Sequence, residues 1–292
     1  MCDSGGTGLN KTSCFVALSG HPVPRPPSFA HLHRLCRTPA PRCSGQTYQR
    51  NTIRKDIYTA NSQEEIALER LHVIAGMLEP GKPAADIGAD HALLSIYLAE
   101  QQIAPWIIAT EFGDGPYRRL CRAVQESPWA DRIEVRQGDG LQPLQAGEVA
   151  SVIVAGMGGE TIAQILSHDW AKSGSFSRFV LQPMSRPGVL RGILADRGWE
   201  IREERLVWQN RRFFVIMEVV PGEHPYRLTP LEMEAGPILL RQADPLAQAY
   251  RQQIRKNYQN LRESLLMSRA GRSHELLTEV EDKLRELEVY QR

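Results

Sequence analysis

The sequence predicts an α/β fold: a mostly parallel sheet that ends in an antiparallel hairpin, followed by a helical C-terminal region. Three observations carry this prediction. Short runs rich in valine and isoleucine alternate with helical segments, which indicates parallel strands covered on both faces. The last two strands follow each other across a short turn, which indicates antiparallel pairing. Beyond residue 222, apolar residues recur every three or four positions, which indicates helices.

Composition and charge limit the classes of protein that fit. A chain of 292 residues with 42% hydrophobic residues can bury one sizeable core and support a smaller appendage. The formal net charge of +1 means that any affinity for nucleic acid must come from local basic patches. No run approaches the roughly 18 apolar residues of a membrane span, so we expect a soluble, cytoplasmic protein without membrane contact.

The cysteines indicate neither a disulfide framework nor a metal site. Cys2, Cys14, Cys36 and Cys43 precede the predicted core, and Cys121 lies within it. An odd number of cysteines with irregular spacing matches no zinc-ligand pattern. We therefore expect no metal.

Residues 1–56 are predicted to be a disordered leader, because they are rich in proline, serine, arginine and cysteine and show no helical or strand period. Two other interpretations stay open. The composition resembles an organellar transit peptide, although prolines interrupt the amphipathic helix that such a signal needs. The segment could also be an upstream extension from a misassigned start. We place the main α/β domain at residues 57–222 and a helical domain at residues 223–292.

Strands and helices alternate along the main domain, and each boundary has a local signal. A capping-box pattern at Ser62 begins the first helix, and Pro80 and Gly81 end it. Asp114 is expected to cap a helix that has a proline near its first position, and Gly198 closes another. The predicted strands are a short run ending at residue 86, then 106–110, 133–135, 149–155, 179–181, 199–209 and 212–220. The predicted helices occupy residues 62–78, 92–100 and 189–194, and two more begin near residues 114 and 159.

The order of these elements points to a class of enzymes by analogy of fold alone. Five parallel strands followed by a hairpin, with its turn at Asn210, make a seven-stranded sheet. This is the Rossmann-like arrangement of class I methyltransferases.

The C-terminal region is predicted to form an antiparallel coiled coil, with a break at Gly271. Residues 241–272 carry seven basic and two acidic residues, whereas residues 275–288 carry six acidic and two basic residues. The helices could simply attract each other, or the basic helix could also contact nucleic-acid phosphate. The apolar residues of the first helix face are Tyr250, Ile254, Tyr258, Leu261 and Leu265, and those of the second are Leu277, Val280, Leu284 and Leu287.

Acidic residues and glycines follow the strand ends, and ligands of open α/β sheets bind at that edge. Glu111, at the end of the second strand, is placed to accept hydrogen bonds from two ribose hydroxyls. The first loop has the single glycine Gly88 and lacks the G-x-G-x-x-G pattern of pyrophosphate sites. A cofactor with ribose but no phosphate fits better, and S-adenosylmethionine is the common one. Asp86 or Asp90 could then pair with its ammonium group, directly or through water, and Asp139 with the N–H of Leu141 could bind the adenine edge.

Each of these residues also has a simpler interpretation. An acid at a strand end can merely cap the next helix. His91 is more often a packing or capping residue than a base. The glycines of Gly156-Met157-Gly158-Gly159 allow close backbone approach to a planar substrate, and Met157 can lie against a ring, but glycines are also common at helix-entry turns.

Five motifs, in order along the chain, resemble the bacterial tRNA adenine-22 N1-methyltransferase family. The resemblance runs from about residue 71 to the C-terminal helices and does not cover the first 56 residues. One departure is Met184, because related sequences tend to have asparagine after the last motif. The motifs are Asp86-Ile87-Gly88-Ala89-Asp90-His91, Glu111-Phe112-Gly113-Asp114-Gly115-Pro116, Arg136-Gln137-Gly138-Asp139-Gly140-Leu141, Ala155-Gly156-Met157-Gly158-Gly159 and Leu181-Gln182-Pro183.

The resemblance implies an S-adenosylmethionine-dependent methyltransferase domain at residues 57–222, a helical C-terminal domain, and the D-arm adenine of tRNA as acceptor. Neutral adenine N1 has no proton to remove, so the enzyme needs orientation and dry surroundings rather than a strong base. The base is expected to leave its stack to reach the pocket.

The site residues that we predict fall into three groups. The residues expected to position the acceptor base are Asp90, His91, Met157 and Gly158. The expected cofactor-binding residues are Asp86, Gly88, Asp90, Glu111, Phe112, Asp139, Gly140, Leu141 and Gly156. The residues expected to contact the RNA backbone are Arg118, Arg119, Arg122, Arg186, Arg191, Arg211, Arg212, Arg255 and Lys256. Any one of these basic residues could instead be an ordinary solvated side chain.

Two alternatives stay open at this stage. The first is a methyltransferase for another RNA or for a small molecule, and the basic C-terminal helix argues against a small substrate. The second is a noncatalytic scaffold that binds the cofactor or RNA, and the acids at three strand ends argue against it.

Overall fold

The computed structural model describes residues 62–267 and 273–290, with side chains described for 69–267 and 274–290. Residues Lys55–Arg292 form one compact unit. The predicted leader, the capping side chain of Ser62 and the predicted break at Gly271 lie outside the described parts. The domain boundary near residue 222 stays a prediction.

The described chain forms one seven-stranded sheet in the order β3-β2-β1-β4-β5-β7-β6. The first five strands are parallel, and β7 is antiparallel to both β5 and β6. The predicted mostly parallel sheet with a terminal antiparallel hairpin is therefore confirmed. The strands are β1 Ala84–Ile87, β2 Ile107–Glu111, β3 Ile133–Gln137, β4 Ser151–Gly158, β5 Arg178–Ser185, β6 Glu200–Gln209 and β7 Arg212–Val220.

Helices cover both faces of the sheet and continue beyond it. They enclose two apolar clusters, one on each face, which is why the inner parallel strands β1, β2 and β4 contain nearly continuous apolar runs, whereas the edge strand β3 alternates. The helices are α1 Ser62–Ala75, α2 Leu93–Glu100, α3 Asp114–Glu126, α4 Gly159–His168, α5 Trp170–Ser173, α6 Pro187–Arg197, α7 Pro230–Ala235, α8 Pro245–Met267 and α9 Ser273–Val289.

Two helix boundaries differ from the sequence prediction. The helix α1 ends at Ala75 and continues as turns, so Pro80 follows the helix at a distance. Asp114 is the first residue of α3, and Gly113 holds the N-cap position without a side-chain hydrogen bond. The Asp114 carboxylate instead accepts a hydrogen bond of 2.7 Å from the Gln137 amide. Asp114 therefore links α3 to the end of β3 rather than capping its own helix.

The hairpin between β6 and β7 turns through Asn210 and Arg211, which both have positive φ angles, 51° and 60°. Two successive positive φ angles are characteristic of the tight turns whose twist matches that of paired strands. Because β7 runs antiparallel to β5, this turn lies at the edge where the parallel strands end. The edge is called the cofactor edge below.

A buried ion pair joins the sheet to the C-terminal region, and we call it the joint. The Arg191 Nε of α6 donates to Glu204 Oε1 of β6 at 2.7 Å, and neither side chain is exposed to solvent. The Arg191 Nη1 also donates to the carbonyl oxygens of Met233 and Glu234 at 2.8 and 3.0 Å. The Glu204 Oε2 accepts from the backbone N–H of Ile238 at 3.0 Å. These contacts attach α7 and the segment after it to the sheet.

The helices α8 and α9 pack antiparallel, as predicted. Tyr258 lies under the Lys283 ammonium, with 5.4 Å from Nζ to the ring centroid, and Arg262 pairs with Glu281 at 3.6 Å. Residue numbers therefore rise along α8 as they fall along α9. Leu261 departs from the predicted contact face, because 39% of it is exposed.

The contact between α8 and α9 depends mainly on apolar side chains. Ile254 and Tyr258 of α8 share a buried cluster with Val280 and Leu287 of α9. Within residues 245–267 and 274–290, a single ion pair connects the two helices, so their opposite charges do not form a ladder of salt bridges. None of the helices that the structure describes has the length and apolar character needed to cross a membrane.

Candidate functional site

A cavity of about 460 Å³ lies at the cofactor edge. Its walls come from the ends of β1 to β4 and from one face of α4 and α5. Seven of the predicted site residues line it, namely Gly88, Glu111, Phe112, Asp139, Gly140, Leu141 and Met157. The other lining residues are Ile87, Thr110, Gly138, Gln142, Thr161, Gln164, Ile165, His168, Asp169, Lys172 and Ser173.

The first loop turns sharply at Gly88, which has a φ of +74°. The N–H groups of Gly88 and Ala89 both donate to the carbonyl of Thr110, at 2.9 and 3.0 Å. A Cβ atom at Gly88 would lie 2.3 Å from Met157 Cε. Glycine is needed here because a side chain would strain the backbone and displace the methionine that lines the cavity.

Asp86 is buried behind the cavity and is not part of its lining. Its Oδ2 accepts a hydrogen bond of 2.7 Å from the Ser95 hydroxyl of α2. Burial raises the pKa of Asp86 to about 6, the Glu111 charge adds to the rise, and the hydrogen bonds from Ser95 oppose it. Asp86 therefore connects the first strand to α2, and its predicted contact with the cofactor stays a prediction.

Backbone N–H groups orient the carboxylate of Glu111. The Asp90 N–H donates to Oε2 at 3.1 Å, and the Phe112 N–H donates to Oε1 at 3.0 Å. A carboxylate has about four lone-pair positions, so each oxygen can accept one more hydrogen bond. Glu111 thus presents two oriented acceptors to the cavity, as the two hydroxyls of a ribose require.

The third loop forms the far wall. Asp139 is exposed and Leu141 is buried, and both line the cavity. Gly140 has a φ of +51°, and a Cβ atom there would lie 3.0 Å from Ile165 Cγ2, so glycine lets this loop approach α4. The Phe112 ring stands at the cavity mouth with 67% of its surface exposed. A flat ring could lie between Phe112 and the third loop.

The remaining predicted residues of the first loop, Asp90 and His91, do not line the cavity. The Asp90 Oδ1 accepts from Arg119 Nε at 2.9 Å and pairs with Arg119 Nη2 at 2.8 Å. The His91 Nε2 lies 3.5 Å from Asp90 Oδ2, and 62% of the His91 side chain is exposed. The predicted contact of Asp90 and His91 with the acceptor base stays a prediction.

The glycine motif after the fourth strand is not a separate loop. The strand β4 continues through Gly158 with two shifts of register against β5, and α4 begins at Gly159. A Cβ atom at Gly159 would lie 2.4 Å from the carbonyl oxygen of Arg186. Gly159 is therefore required for packing of the chain against itself.

Gly156 differs from Gly159, because space surrounds it. Its φ is +81°, and no described atom lies within 4 Å of the position that a Cβ would take. The buried Gln182 of β5 accepts from the Gly156 N–H at 3.2 Å. Gly156 is not in the cavity lining, but it is the one glycine of the motif whose Cα faces open space.

The basic residues predicted to contact RNA differ in their exposure and in their ion pairs. Arg118, Arg122, Arg211, Arg212 and Lys256 are exposed. Arg119 is half exposed but pairs with Asp90, and Arg186 is exposed and pairs with Glu160. Arg255 is partly buried and lines a second cavity in the C-terminal region.

The prediction for Arg191 is wrong. Its side chain is fully buried in the joint, where it pairs with Glu204, so it cannot reach an RNA backbone. Arg186 precedes α6 as its N-cap residue and is exposed, whereas Arg191 lies inside the helix on its buried face.

The sequence analysis missed the wall supplied by α4 and α5. A helical pattern in the sequence could have identified the α4 part, since residues 161, 164, 165 and 168 recur every three or four positions and so share one face. The chain is extended at Asp169, so this spacing does not carry over to α5. The Lys172 Nζ donates to the carbonyl of Gln142 at 3.1 Å and closes this side of the cavity. No group of residues suited to hold a metal ion occurs among the described side chains.

Comparison with known proteins agrees with this site. Residues 67–217, slightly more than half of the chain, match the methyltransferase domain family. The tRNA (adenine(22)-N(1))-methyltransferase of Bacillus subtilis is 32% identical over 168 residues, which cover 58% of this chain and 71% of that protein.

Solved structures show the same likeness. A putative tRNA (m1A22) methyltransferase from Streptococcus pneumoniae superposes with a TM-score of 0.69 at 28% identity, and the match covers 77% of this chain and 99% of that one. The same protein in complex with S-adenosyl-L-methionine superposes with a TM-score of 0.64 at 28% identity and equal coverage.

Proposed function

The chain belongs to the tRNA (adenine(22)-N(1))-methyltransferase family, and from this premise we propose that it methylates N1 of adenine 22 in the D arm of tRNA. S-adenosylmethionine is the methyl donor. The observation that carries the proposal is the cavity at the cofactor edge, where Gly88, Glu111 and Asp139 follow three adjacent parallel strands. Ligands of open α/β sheets bind at this position.

The residues present fit the donor. S-adenosylmethionine, when bound, supplies an activated methyl group on a positively charged sulfur. The two oriented oxygens of Glu111 suit the ribose hydroxyls, and the exposed Phe112 ring with the buried Leu141 suits the adenine. The turn at Gly88 leaves its backbone accessible to the amino-acid end. Asp86 supports that loop from behind.

The acceptor requires positioning more than proton transfer. Adenine N1 attacks through a lone pair in the ring plane and has no proton to lose, so no general base is needed. The chain must hold the base with N1 facing the methyl group and must exclude water. Met157 at the cavity wall and the open space at Gly156 supply a surface of suitable shape for a flat ring.

Contacts with tRNA would come from exposed basic residues around the site. We propose that the main domain, residues 57–222, carries the chemistry and that the helical region, residues 223–292, contributes to tRNA binding. A tRNA substrate also implies a cytoplasmic location. The basic residues that remain candidates are Arg118, Arg119, Arg122, Arg186, Arg211, Arg212, Arg255 and Lys256.

The test is transfer of a labelled methyl group from S-adenosylmethionine to unmodified bulk tRNA, followed by nucleoside analysis. We expect 1-methyladenosine, located at position 22 by mapping of the product. The Glu111→Gln variant should bind the donor more weakly and methylate tRNA less efficiently.

Other outcomes would replace parts of the proposal. Donor binding without any methylation of tRNA would retain the cofactor site and reject the acceptor, and other RNAs or small molecules would be tested next. Binding of tRNA by a protein with no measurable transfer would favour a noncatalytic scaffold.

A further inference from the structure

Two arginines from distant parts of the chain meet on one aromatic ring. The guanidinium carbon of Arg70 in α1 lies 4.6 Å from the centroid of the Phe214 ring, and that of Arg212 in β7 lies 4.5 Å from it. Cations attract aromatic rings. A single ring, however, does not neutralise two positive charges.

Neither guanidinium has an acidic partner within residues 69–267 and 274–290. Both bind Met184 instead: Arg212 Nη2 donates to its carbonyl oxygen at 2.7 Å, and Arg70 Nη1 contacts its sulfur at 3.8 Å. The Arg70 Nε is buried without a hydrogen-bond partner among the described atoms. Burial, and then the charge of Arg212, lower the pKa of Arg70. The buried Nε cannot reach a ligand, but each guanidinium also has a second Nη group with no hydrogen bond to a described residue. The pair is thus a concentration of positive charge with unused hydrogen-bond donors.

The pair lies at the cofactor edge. Arg212 begins β7, directly after the hairpin turn. Met184 lies between Pro183 and Ser185, the residues of β5 that pair with Met157 and Gly158 of β4. The buried Gln182 connects the same positions, since it accepts from the Gly156 N–H and donates to Met184 Sδ at 3.6 Å.

Two guanidinium groups with free donors match the oxygens of one phosphate group, which accept hydrogen bonds in forked geometry. We propose that Arg70 and Arg212 together bind a backbone phosphate next to the adenosine that enters the site. This inference rests on the proposed function, because it takes tRNA as the ligand. Arg70 was not among the predicted RNA-binding residues, so the proposal adds it. For Arg212, the proposal specifies contact with one phosphate group in place of a general electrostatic attraction to RNA. Both are positioning residues.

The experiment compares the full-length protein with the variants Arg70→Gln and Arg212→Gln. Each removes one charge and retains a polar, although shorter, side chain. The matched control is Arg202→Gln, because Arg202 lies on β6 towards the opposite edge of the sheet and is half exposed. Dissociation constants for tRNA are measured at several salt concentrations with S-adenosylhomocysteine present, together with the affinity for S-adenosylmethionine and the kcat and KM for tRNA.

We expect each site variant to raise the Kd for tRNA about tenfold and to reduce the slope of log Kd against log salt by about one. The affinity for S-adenosylmethionine should stay within twofold of the wild-type value, which shows that the fold is intact. The double variant should lose less than the product of the two single losses, because both residues bind the same phosphate. Arg70→Lys should recover part of the affinity, since it restores the charge but not the fork.

Site variants whose tRNA affinity and salt slope equal those of Arg202→Gln would overturn the phosphate site, even with normal methylation in the wild type. A wild-type protein that forms no 1-methyladenosine, but binds tRNA in a manner that depends on Arg70 and Arg212, would overturn the proposed function and retain this site. A wild-type protein without affinity for tRNA would overturn both.

Discussion

The joint and the cofactor edge use the same types of charged residue for different purposes. At the joint, Glu204 and Arg191 have no solvent exposure and bind each other and four backbone groups. At the cofactor edge, Glu111 is the last residue of the strand β2, but its carboxylate lines an open cavity. Only two backbone N–H groups bind it, which leaves acceptor positions free.

The two regions differ mainly in burial: the joint keeps both charges away from solvent and leaves only the Arg191 Nη2 without a hydrogen-bond partner among the described atoms, whereas Glu111 faces an open cavity. A buried charge must have its partners within the protein, because desolvation without them costs several kcal/mol. A charged group that binds a ligand must have free hydrogen-bond positions and must be accessible from solvent. Four substitutions test this comparison, and they are ordered by the size of the effect that we expect.

The largest effect is expected at the joint. Glu204→Ala would leave Arg191 buried without its partner, and loss of one member of a buried ion pair costs about 3–5 kcal/mol. Urea denaturation should show this loss in the free energy of unfolding. The control is Glu203→Ala, because Glu203 pairs with Arg205 at the surface, where about 1 kcal/mol or less is expected. Equal losses in the two variants would contradict the distinction between the joint and surface pairs.

Asp86 is the buried acid behind the cofactor edge, and its substitution should stabilise the protein at neutral pH. Its folded-state pKa of about 6 lies above the usual value of 3.8, so between these values the native state binds more protons than the unfolded state. Stability from this group is therefore present at low pH and is lost as the pH rises through 6. Asp86→Asn should remove this dependence and gain up to about 3 kcal/mol at pH 7, since one pKa unit corresponds to about 1.4 kcal/mol.

Urea denaturation of the wild type and of Asp86→Asn at intervals from pH 4 to pH 8 measures that difference. It should be small near pH 4 and should reach its full value above pH 6. A constant difference across this range would show that the Asp86 carboxyl titrates alike in the folded and unfolded states.

At Glu111 the effect should appear in binding rather than in stability. Glu111→Gln keeps the size of the side chain but removes the charge that ribose hydroxyls would bind, and hydrogen bonds to charged groups contribute about 1.5–3 kcal/mol. Calorimetric titration should show S-adenosylmethionine binding about 10- to 100-fold more weakly, since each 1.4 kcal/mol is a factor of ten.

The control for Glu111 is Glu160→Gln, which removes an exposed acid at the start of α4 that does not line the cavity. Its affinity for S-adenosylmethionine should match that of the wild type. Similar losses in both variants would mean that the cavity senses net charge rather than a specific contact.

The smallest effect is expected for the exposed pair of Arg186 and Glu160. Both side chains are more than half exposed, so Arg186→Gln should change the free energy of unfolding by less than about 1 kcal/mol. The change should shrink further at high salt. If Arg186→Gln lowered the free energy of unfolding as much as Glu204→Ala in the same assay, burial would not explain the difference between the two ion pairs.

Much of the cofactor edge was accessible to sequence reasoning. Gly88, Glu111 and Asp139 were predicted to meet because each follows a buried strand, and the carboxyl ends of adjacent parallel strands coincide. All three line one cavity. Arg191 shows the limit, because an arginine in an amphipathic helix looks the same in sequence whether it faces solvent or the buried side of its helix.

Patterns in the sequence are sufficient to predict the order of strands and helices, the hairpin and the position of the acids at the cofactor edge. Local periodicity and the short connections allow few other arrangements. Long-range packing decides which charges are buried, as for Arg191 with Glu204, and which lie together without an acidic partner among the described side chains, as for Arg70 with Arg212. These contacts join residues far apart in the chain, and their energies depend on solvent exposure and on neighbours that no local pattern specifies.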